Sequence, residues 1–333
     1  MIPFYKPDVG MAEALAVSEV VASGWLTQGK QVEKLEKAFA KYVGAKYAVA
    51  VDCCTSALFL SVKRLNLKEG SRIALSPLTF TASASAIVHN GHKPYFVDIL
   101  NKYSQDDIDA TMVVHYAGDE YETKSKKPVI YDSAHLVKKN QCKNKKGFHC
   151  FSFYPTKPVA SAEGGMICCN NKKDYEWFKK ARLHGINADG YERYTGGKVS
   201  YEVEFVGWKM NMTDVQAVIA MEQLKKLPQM DKRRIKIRDR YNKAFGFKNA
   251  GLHLYTLLIR DREKFINYLA DKGIACSIHF PLLHQQPAYK KYWRRLPSSE
   301  YIGQRIVSIP FYSAMTDEQV DYVIKNIKEV LGD

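Results

Sequence analysis

Long apolar runs are missing from this chain of 333 residues. Its most apolar stretch, Ala48 to Val62, is interrupted by Asp52, Thr55 and Ser56, whereas a bilayer span needs about 18–20 residues. The opening MIPFYKPDVG has no basic segment ahead of an apolar one, so a signal peptide is not expected and residence is expected to be cytoplasmic. Cysteine is scarce and odd in number: seven, four of them in the adjacent pairs Cys53-Cys54 and Cys168-Cys169. Adjacent cysteines rarely meet disulfide geometry. There is no CxxC and no Cys/His cluster at zinc spacing, so neither a disulfide framework nor a metal is expected. All seven are read as reduced, mostly buried small residues. Repeats and low-complexity linkers are also lacking. What is present, 46% hydrophobic and 26% charged residues, excludes a disordered or fibrous chain.

Charge is present in excess of one sign, +15 overall. A basic surface favours anionic partners: nucleic acid, anionic lipid or phosphorylated small molecules. The cations are spread over Lys138–Lys146, Lys225–Arg240 and Lys290–Arg295. Each run alone reads as a solvated face, and none carries a nucleic-acid motif or interleaves aromatics for stacking. Neither nucleic acid nor a membrane is expected as partner.

The first two thirds alternate strands and helices. Asp8 is a plausible cap for a helix ended by Gly24, and Val32, Leu35, Phe39 and Val43 recur at helical spacing before Gly44. Strands are expected over Lys46–Val51, Arg72–Ser76, Pro94–Asp98, Met112–Tyr116, Val129–Asp132, His149–Phe153 and Gly165–Cys169, with helices opening at Thr55 and after Ser76. Apolar strands between helices argue for a mostly parallel sheet covered on both faces. Thr213-Asp214-Val215-Gln216 is a capping box before an apolar helix, and a separate long basic helix follows from about Asp231 to Ala244. A smaller α+β region closes the chain, with strands over His253–Ile259 and Ile274–Phe280 and a last helix after the box Thr316–Gln319. The expected division is residues 1–230 and 231–333.

Four strand ends carry chemically useful residues, at the place where α/β sheets bind ligands. Cys53-Cys54-Thr55-Ser56 leads a strand into a helix whose free N–H groups could hold a phosphate; simple capping by Thr55 or Ser56 is the plainer reading. Asp132 ends an apolar strand, costly unless paired, and could face a protonated ring nitrogen or serve as a helix cap or a structural ion pair. His135, three residues on, could face the same site or be a satisfied structural histidine. Lys157, after Ser152-Phe153-Tyr154-Pro155-Thr156 and before Gly164-Gly165, could lose its proton and form a Schiff base, although loop lysines are usually just exposed. Phe80, opening a helix, could stack on a planar ring or pack in the core.

Taken in order, these segments resemble the DegT/DnrJ/EryC1/StrS family of sugar aminotransferases, fold-type-I enzymes dependent on pyridoxal 5'-phosphate (PLP). The resemblance covers nearly the whole chain: Gly24-Trp25-Leu26-Thr27-Gln28-Gly29, Tyr42 to Val49, Thr55 to Leu58, Pro77 to Phe80, Asp132 to His135, Ser152 to Lys157, Glu163 to Met166, Arg182 to Gly185, Asn211 to Ala217 and Ser277 to Phe280. It implies a mostly parallel α/β large domain with a smaller C-terminal α+β domain. It implies that Lys157 forms the Schiff base with PLP and moves the proton between carbons, and that Asp132 holds the pyridinium proton. It places His135 at the ring oxygen, Phe80 on the ring face, and Thr55, Ser56 and Ser152, with the backbone of Cys54, at the phosphate. Lys209 or Asn211 is implied to reach the neighbouring subunit's phosphate, making the protein a homodimer with shared sites. Tyr5, Thr27, Gln28 and His279 match positions lining the sugar site.

The implied activity is transfer of an amino group, with L-glutamate as donor, to a nucleotide-linked keto sugar, the cofactor passing between PLP and its amino form, PMP. Two rival readings are a PLP-dependent sugar dehydratase, which typically has His where Lys157 stands, and a non-catalytic binding protein on the same fold. Three departures from the family stand out: Cys54 where Gly or a small residue is usual, Pro158 after the lysine, and a short crossover, Ala117–Pro128, that hardly admits a covering helix.

Overall fold

The computed structural model describes residues 1–98, 107–187, 191, 195 and 200–332. Seven strands form one sheet: β1 (Tyr47–Val51), β2 (Arg72–Leu75), β3 (Lys93–Phe96), β4 (Ala110–Val114), β5 (Val129–Asp132), β6 (Phe148–Ser152) and β7 (Gly165–Cys169), in the order β1-β7-β6-β5-β4-β2-β3. β7 is antiparallel to β1 and β6, and the other pairs are parallel. Side chains alternate across the pleat. Val49, Ile130, Cys150 and Ile167 meet one core, which includes α3 (Cys54–Arg64), α4 (Thr81–His89) and α5 (Lys172–Ala181). Ala50, Phe151, Met166 and Cys168 meet the other, with α2 (Lys30–Val43) and α6 (Asp214–Phe245). The expected sheet, covered on both faces, is therefore present.

α2 shows how sequence spacing becomes packing. Val32, Leu35, Phe39 and Val43 form its buried stripe, and the Phe39 ring meets Phe151 at 4.9 Å and Phe153 at 5.3 Å. Each such side chain contributes about 1.5–3 kcal/mol by leaving water. Gly44, at φ 73°, ends the helix in the left-handed region. The helix start has no cap of its own. The buried carboxylate of Asp214 supplies one from a distance, accepting from the N–H groups of Gly29 (2.8 Å), Gln31 (3.1 Å) and Val32 (3.0 Å).

α6 carries the capping box expected at Thr213 and Gln216. The expected break before Asp231 is absent: the helix runs for 32 residues through Pro228. Its first half packs Leu224 and Leu227 under the sheet, and its second half packs Ile237 and Tyr241 into a third core. That core is built on β8 (Tyr255–Leu258) and β9 (Ile306–Ile309), which pair antiparallel, α7 (Arg262–Asp271) and α9 (Asp317–Leu331), with Ile2 from the chain start. A short helix, α8 (Pro297–Arg305), is capped by Asp98, which accepts from the N–H groups of Ser298 and Ser299. The expected boundary near residue 230 falls inside α6.

Two further expectations are corrected, while those of a crossover without a covering helix and of free, mostly buried cysteines hold. The first helix, α1 (Met11–Ala22), starts after Gly10 rather than at Asp8, whose carbonyl accepts from Gln223 and Lys226. Ile274–Phe280 makes isolated bridges, Ile274 with Ile2 and Ser277 with Ser308, not a strand. As expected, no covering helix fits in the crossover: its start is a 3-10 turn, Tyr116–Gly118, and residues 119–128 are not helical. All seven cysteines are free thiols, five of them buried. No helix among the described residues is long and apolar enough to cross a membrane.

Candidate active site

Asp132 is the last residue of β5 and Ser152 the last of β6, so two parallel strands end side by side at one cavity of about 460 Å³. The starts of α3 and α4 and the loop after β6 complete its walls, with Tyr5, Cys54, Thr55, Phe80, His135, Lys157 and His279 among the lining residues. The strand-end rule thus assembles most of the expected site from segments far apart in the chain.

Asp132 is buried and held by neutral donors: the Ser83 hydroxyl at 2.6 Å and the Ala134 N–H at 3.1 Å. Burial pushes its carboxyl above the ordinary aspartate value, against the pull of those bonds and of Lys157. A carboxyl so placed gains from a cationic partner in the cavity. Burial lowers the Lys157 amine below the ordinary lysine value, partly offset by attraction to Asp132. Lowering frees more of the amine from its proton, the form that attacks carbonyls.

His135 is buried, and burial, followed by the charge of Lys157, pushes it well below the ordinary histidine value. It is neutral at pH 7. Its Nδ1 accepts from the Ala117 N–H at 3.2 Å, so the proton sits on Nε2. His279 is pushed down to about 4 by burial and Lys157; its Nδ1 lies 3.0 Å from the Ser308 hydroxyl and its ring stacks on Phe4 at 5.1 Å. Phe80 caps α4, is 59% exposed, and lies 5.9 Å from the Phe280 ring. The Tyr5 hydroxyl donates to the Lys157 carbonyl at 3.4 Å.

The start of α3 differs from expectation in its cap. The helix opens at Cys54, and the Cys53 thiol, not Thr55 or Ser56, accepts from the Ser56 N–H at 3.4 Å. The Ser56 hydroxyl lies 3.3 Å from the same sulfur and does not line the cavity. Gly165 makes the cradle possible: a Cβ there would lie 2.6 Å from the Cys53 carbonyl group and 2.7 Å from the Cys54 nitrogen. Glycine lets β7 pass directly under the helix start.

Besides Ser56, four expected residues lie outside this cavity within one chain. Lys209 and Asn211 bond each other at 2.5 Å, beside the end of β1. The Thr27 carbonyl accepts from the Asp214 N–H, and Gln28 lines a separate cleft along α2. Among the lining residues that the sequence reading missed is His253, buried, with its ring 4.3 Å from that of His135. Burial, followed by Lys157, pushes it well below the ordinary histidine value.

These residues fit a phosphorylated pyridine aldehyde. Asp132 has no hydrogen-bonded cation among the described residues, Lys157 offers an amine, His135 offers an N–H, and the glycine-floored start of α3 suits a phosphate.

A sequence model of the DegT/DnrJ/EryC1/StrS aminotransferase family matches residues 7–328. The spore coat polysaccharide biosynthesis protein SpsC of Bacillus subtilis is 34% identical over 378 aligned positions, covering 99% of this chain and 97% of SpsC. That alignment is longer than this chain, which therefore lacks segments that SpsC has. The putative sugar aminotransferase Spr1654 of Streptococcus pneumoniae, in its PMP form, superposes with a TM-score of 0.89 at 26% identity over 99% of both chains. PseC of Helicobacter pylori, an aminotransferase involved in the biosynthesis of pseudoaminic acid, has a TM-score of 0.89 at 23% identity over 99% of both chains and shares the fold.

Proposed function

The chain belongs to the DegT/DnrJ/EryC1/StrS aminotransferase family, and from that premise we propose that it is a PLP-dependent aminotransferase acting on a nucleotide-linked keto sugar. In the net reaction an amino acid, L-glutamate in this reading, becomes its 2-oxo acid, and the sugar's carbonyl oxygen is replaced by an amino group. The observation that carries the reading is the convergence of Lys157, Asp132 and His135 on one cavity.

PLP, when bound, supplies an electron sink and a temporary seat for the amino group. The chain's own residues do the rest. Asp132 holds a proton at the ring nitrogen. His135 donates from Nε2 to the ring oxygen. The Lys157 Nζ, whose proton burial loosens, would serve in its free-amine form as the base that takes up a proton and gives it back. Thr55, Ser152 and the first N–H groups of α3 hold the phosphate, and Phe80 covers the ring. Ser56 supports the same turn through Cys53. Tyr5 and His279 line the remaining space on the sugar side. Lys209 or Asn211, with Thr27 and Gln28, serves the partner subunit's site in a homodimer, which accounts for their place outside the cavity of their own chain. A diphosphate-linked sugar suits the +15 charge.

The test is a panel of keto-sugar nucleotides with L-glutamate, followed by 2-oxoglutarate release and the mass of the sugar product. The reading predicts stoichiometric 2-oxoglutarate and amino sugar with at least one nucleotide-linked acceptor. Turnover of free keto sugars alone, or sugar dehydration without 2-oxoglutarate, would overturn it.

A further inference from the structure

The backbone carrying Lys157 is tied down by side chains from distant parts of the chain. The Lys157 N–H bonds the Tyr154 carbonyl at 2.8 Å within its own turn. Its carbonyl accepts from the Tyr5 hydroxyl, and the next carbonyl, that of Pro158, accepts from Arg234 Nη2; both bonds are 3.4 Å. Proline has no N–H, so this carbonyl is the only hydrogen-bonding backbone group Pro158 offers.

Arg234 rises from the middle of α6 and is 3% exposed. Its Nη1 bonds Asp231 Oδ1 at 2.7 Å, one turn earlier on the helix. The charge of the same guanidinium draws down the Tyr5 phenol, which burial otherwise pushes up. One planar group thus bonds both the residue after the reacting lysine and its own helix, with its charge acting on Tyr5, which itself bonds the Lys157 carbonyl. The fork of a guanidinium can do this; the point charge of a lysine cannot. Stability alone is a poor reason for the arrangement, because a buried ion pair is often matched or bettered by apolar side chains of similar volume.

We propose that Arg234 is a positioning residue, which fixes the Lys157–Pro158 backbone and through it the place of the Lys157 amine in the cavity. The inference rests on the reading of Lys157 as the reacting amine. It adds a brace that links the long helix α6 to the site, at the position where Pro158 leaves only a carbonyl to be held.

The test compares wild type with Arg234→Lys in two measurements. The first uses cofactor-free protein: trace acetylation of amines across a pH series, with Lys157 read by peptide mass spectrometry and thermal unfolding recorded alongside. The brace predicts that the Lys157 midpoint moves up, toward that of an ordinary exposed lysine, as the amine loses its enclosed position. A merely structural Arg234 would lower the unfolding temperature and leave that midpoint unchanged, which would overturn the proposal. The second uses holoenzyme. Arg234→Lys should reduce kcat by about 10–100-fold, the scale of a misplaced reacting group, with the donor KM changed much less; an unchanged kcat would also overturn the proposal. If Arg234→Lys fails to fold, the double variant Arg234→Met/Asp231→Leu replaces buried Arg234 and half-buried Asp231 with apolar groups and carries the same predictions. Borohydride fixation of cofactor in wild type keeps the two readings apart. A label away from Lys157 would refute the site assignment, while the cofactor-free titration still reports whether Arg234 governs Lys157.

Discussion

The Ala117 N–H and the His135 Nδ1 lie 3.2 Å apart, and that bond sets which ring nitrogen of His135 carries the proton. Ala117 adopts φ 57°, outside ordinary helical geometry, and its carbonyl accepts from the N–H groups of His253 and Leu254, both at 3.1 Å. One residue therefore orients His135 and docks the segment that brings His253 into the cavity.

His135 is expected to act as a fixed N–H donor. His135→Gln, which keeps an N–H, should retain activity within about tenfold, whereas His135→Leu should lose on the order of 10²–10³, the usual effect of removing one positioned donor. Because burial and Lys157 hold His135 well below its ordinary value, its ionisation should leave no break near pH 6.5 in kcat/KM. Steady-state kinetics from pH 5 to 8 check both statements; a break that vanishes in His135→Gln would contradict them.

Gly165→Ala is expected to disturb the phosphate cradle. The added Cβ would meet the Cys53 backbone at 2.6 Å, and overpacking of this kind costs about 1–3 kcal/mol. The expected outcome is a folded protein with weaker PLP affinity, measured by equilibrium titration of the cofactor-free form. Unchanged affinity would remove the cradle from the site.

Acid should destabilise the fold through two histidines remote from the reaction. His115 and His149 are buried and their rings stack on either side of Tyr131, at 5.6 and 4.3 Å. Burial pushes them down to about 4 and about 3, respectively. Below about pH 6.5 the unfolded chain binds protons that the folded chain refuses, so stability falls as pH drops toward those values. Between pH 7 and 5 wild type should lose more unfolding free energy than His149→Phe, which keeps the stack without the titrating ring. Urea melts at the two pH values measure this; equal losses would assign the acid sensitivity elsewhere.

Asp132→Asn is expected to bind PLP and to lose activity by on the order of 10² or more, since an amide cannot hold the ring proton against the electron sink. Cofactor absorbance and single-turnover rates check the two halves of this statement. Near-normal turnover would leave Asp132 a structural role.

Much of the site was legible because Asp132 and Ser152 end strands whose apolar pattern sets where they point, and Lys157 follows one of them within a short loop. The rest depends on contacts that spacing does not encode. His253 reaches His135 only because a turn at Ala117 docks the third core. The cap of α3 is a thiol, a weaker acceptor than the hydroxyls beside it, so residue preference points to the wrong side chain. Asp214 caps α2 from across the sequence, a role hidden behind its own capping box. Ile274–Phe280 has the composition of a strand, yet only Ile274 and Ser277 form bridges. Pro228 sits in the middle of α6, where propensity argues for a break that the surrounding core overrides.

The central claim is that Lys157 is the amine that carries the cofactor. The direct measurement is borohydride reduction of the purified holoenzyme, followed by proteolysis and mass mapping of the pyridoxyl group. The account predicts one label per chain, on the peptide containing Ser152 to Lys157 and located at Lys157. A label on any other lysine, or no cofactor retained, would contradict it.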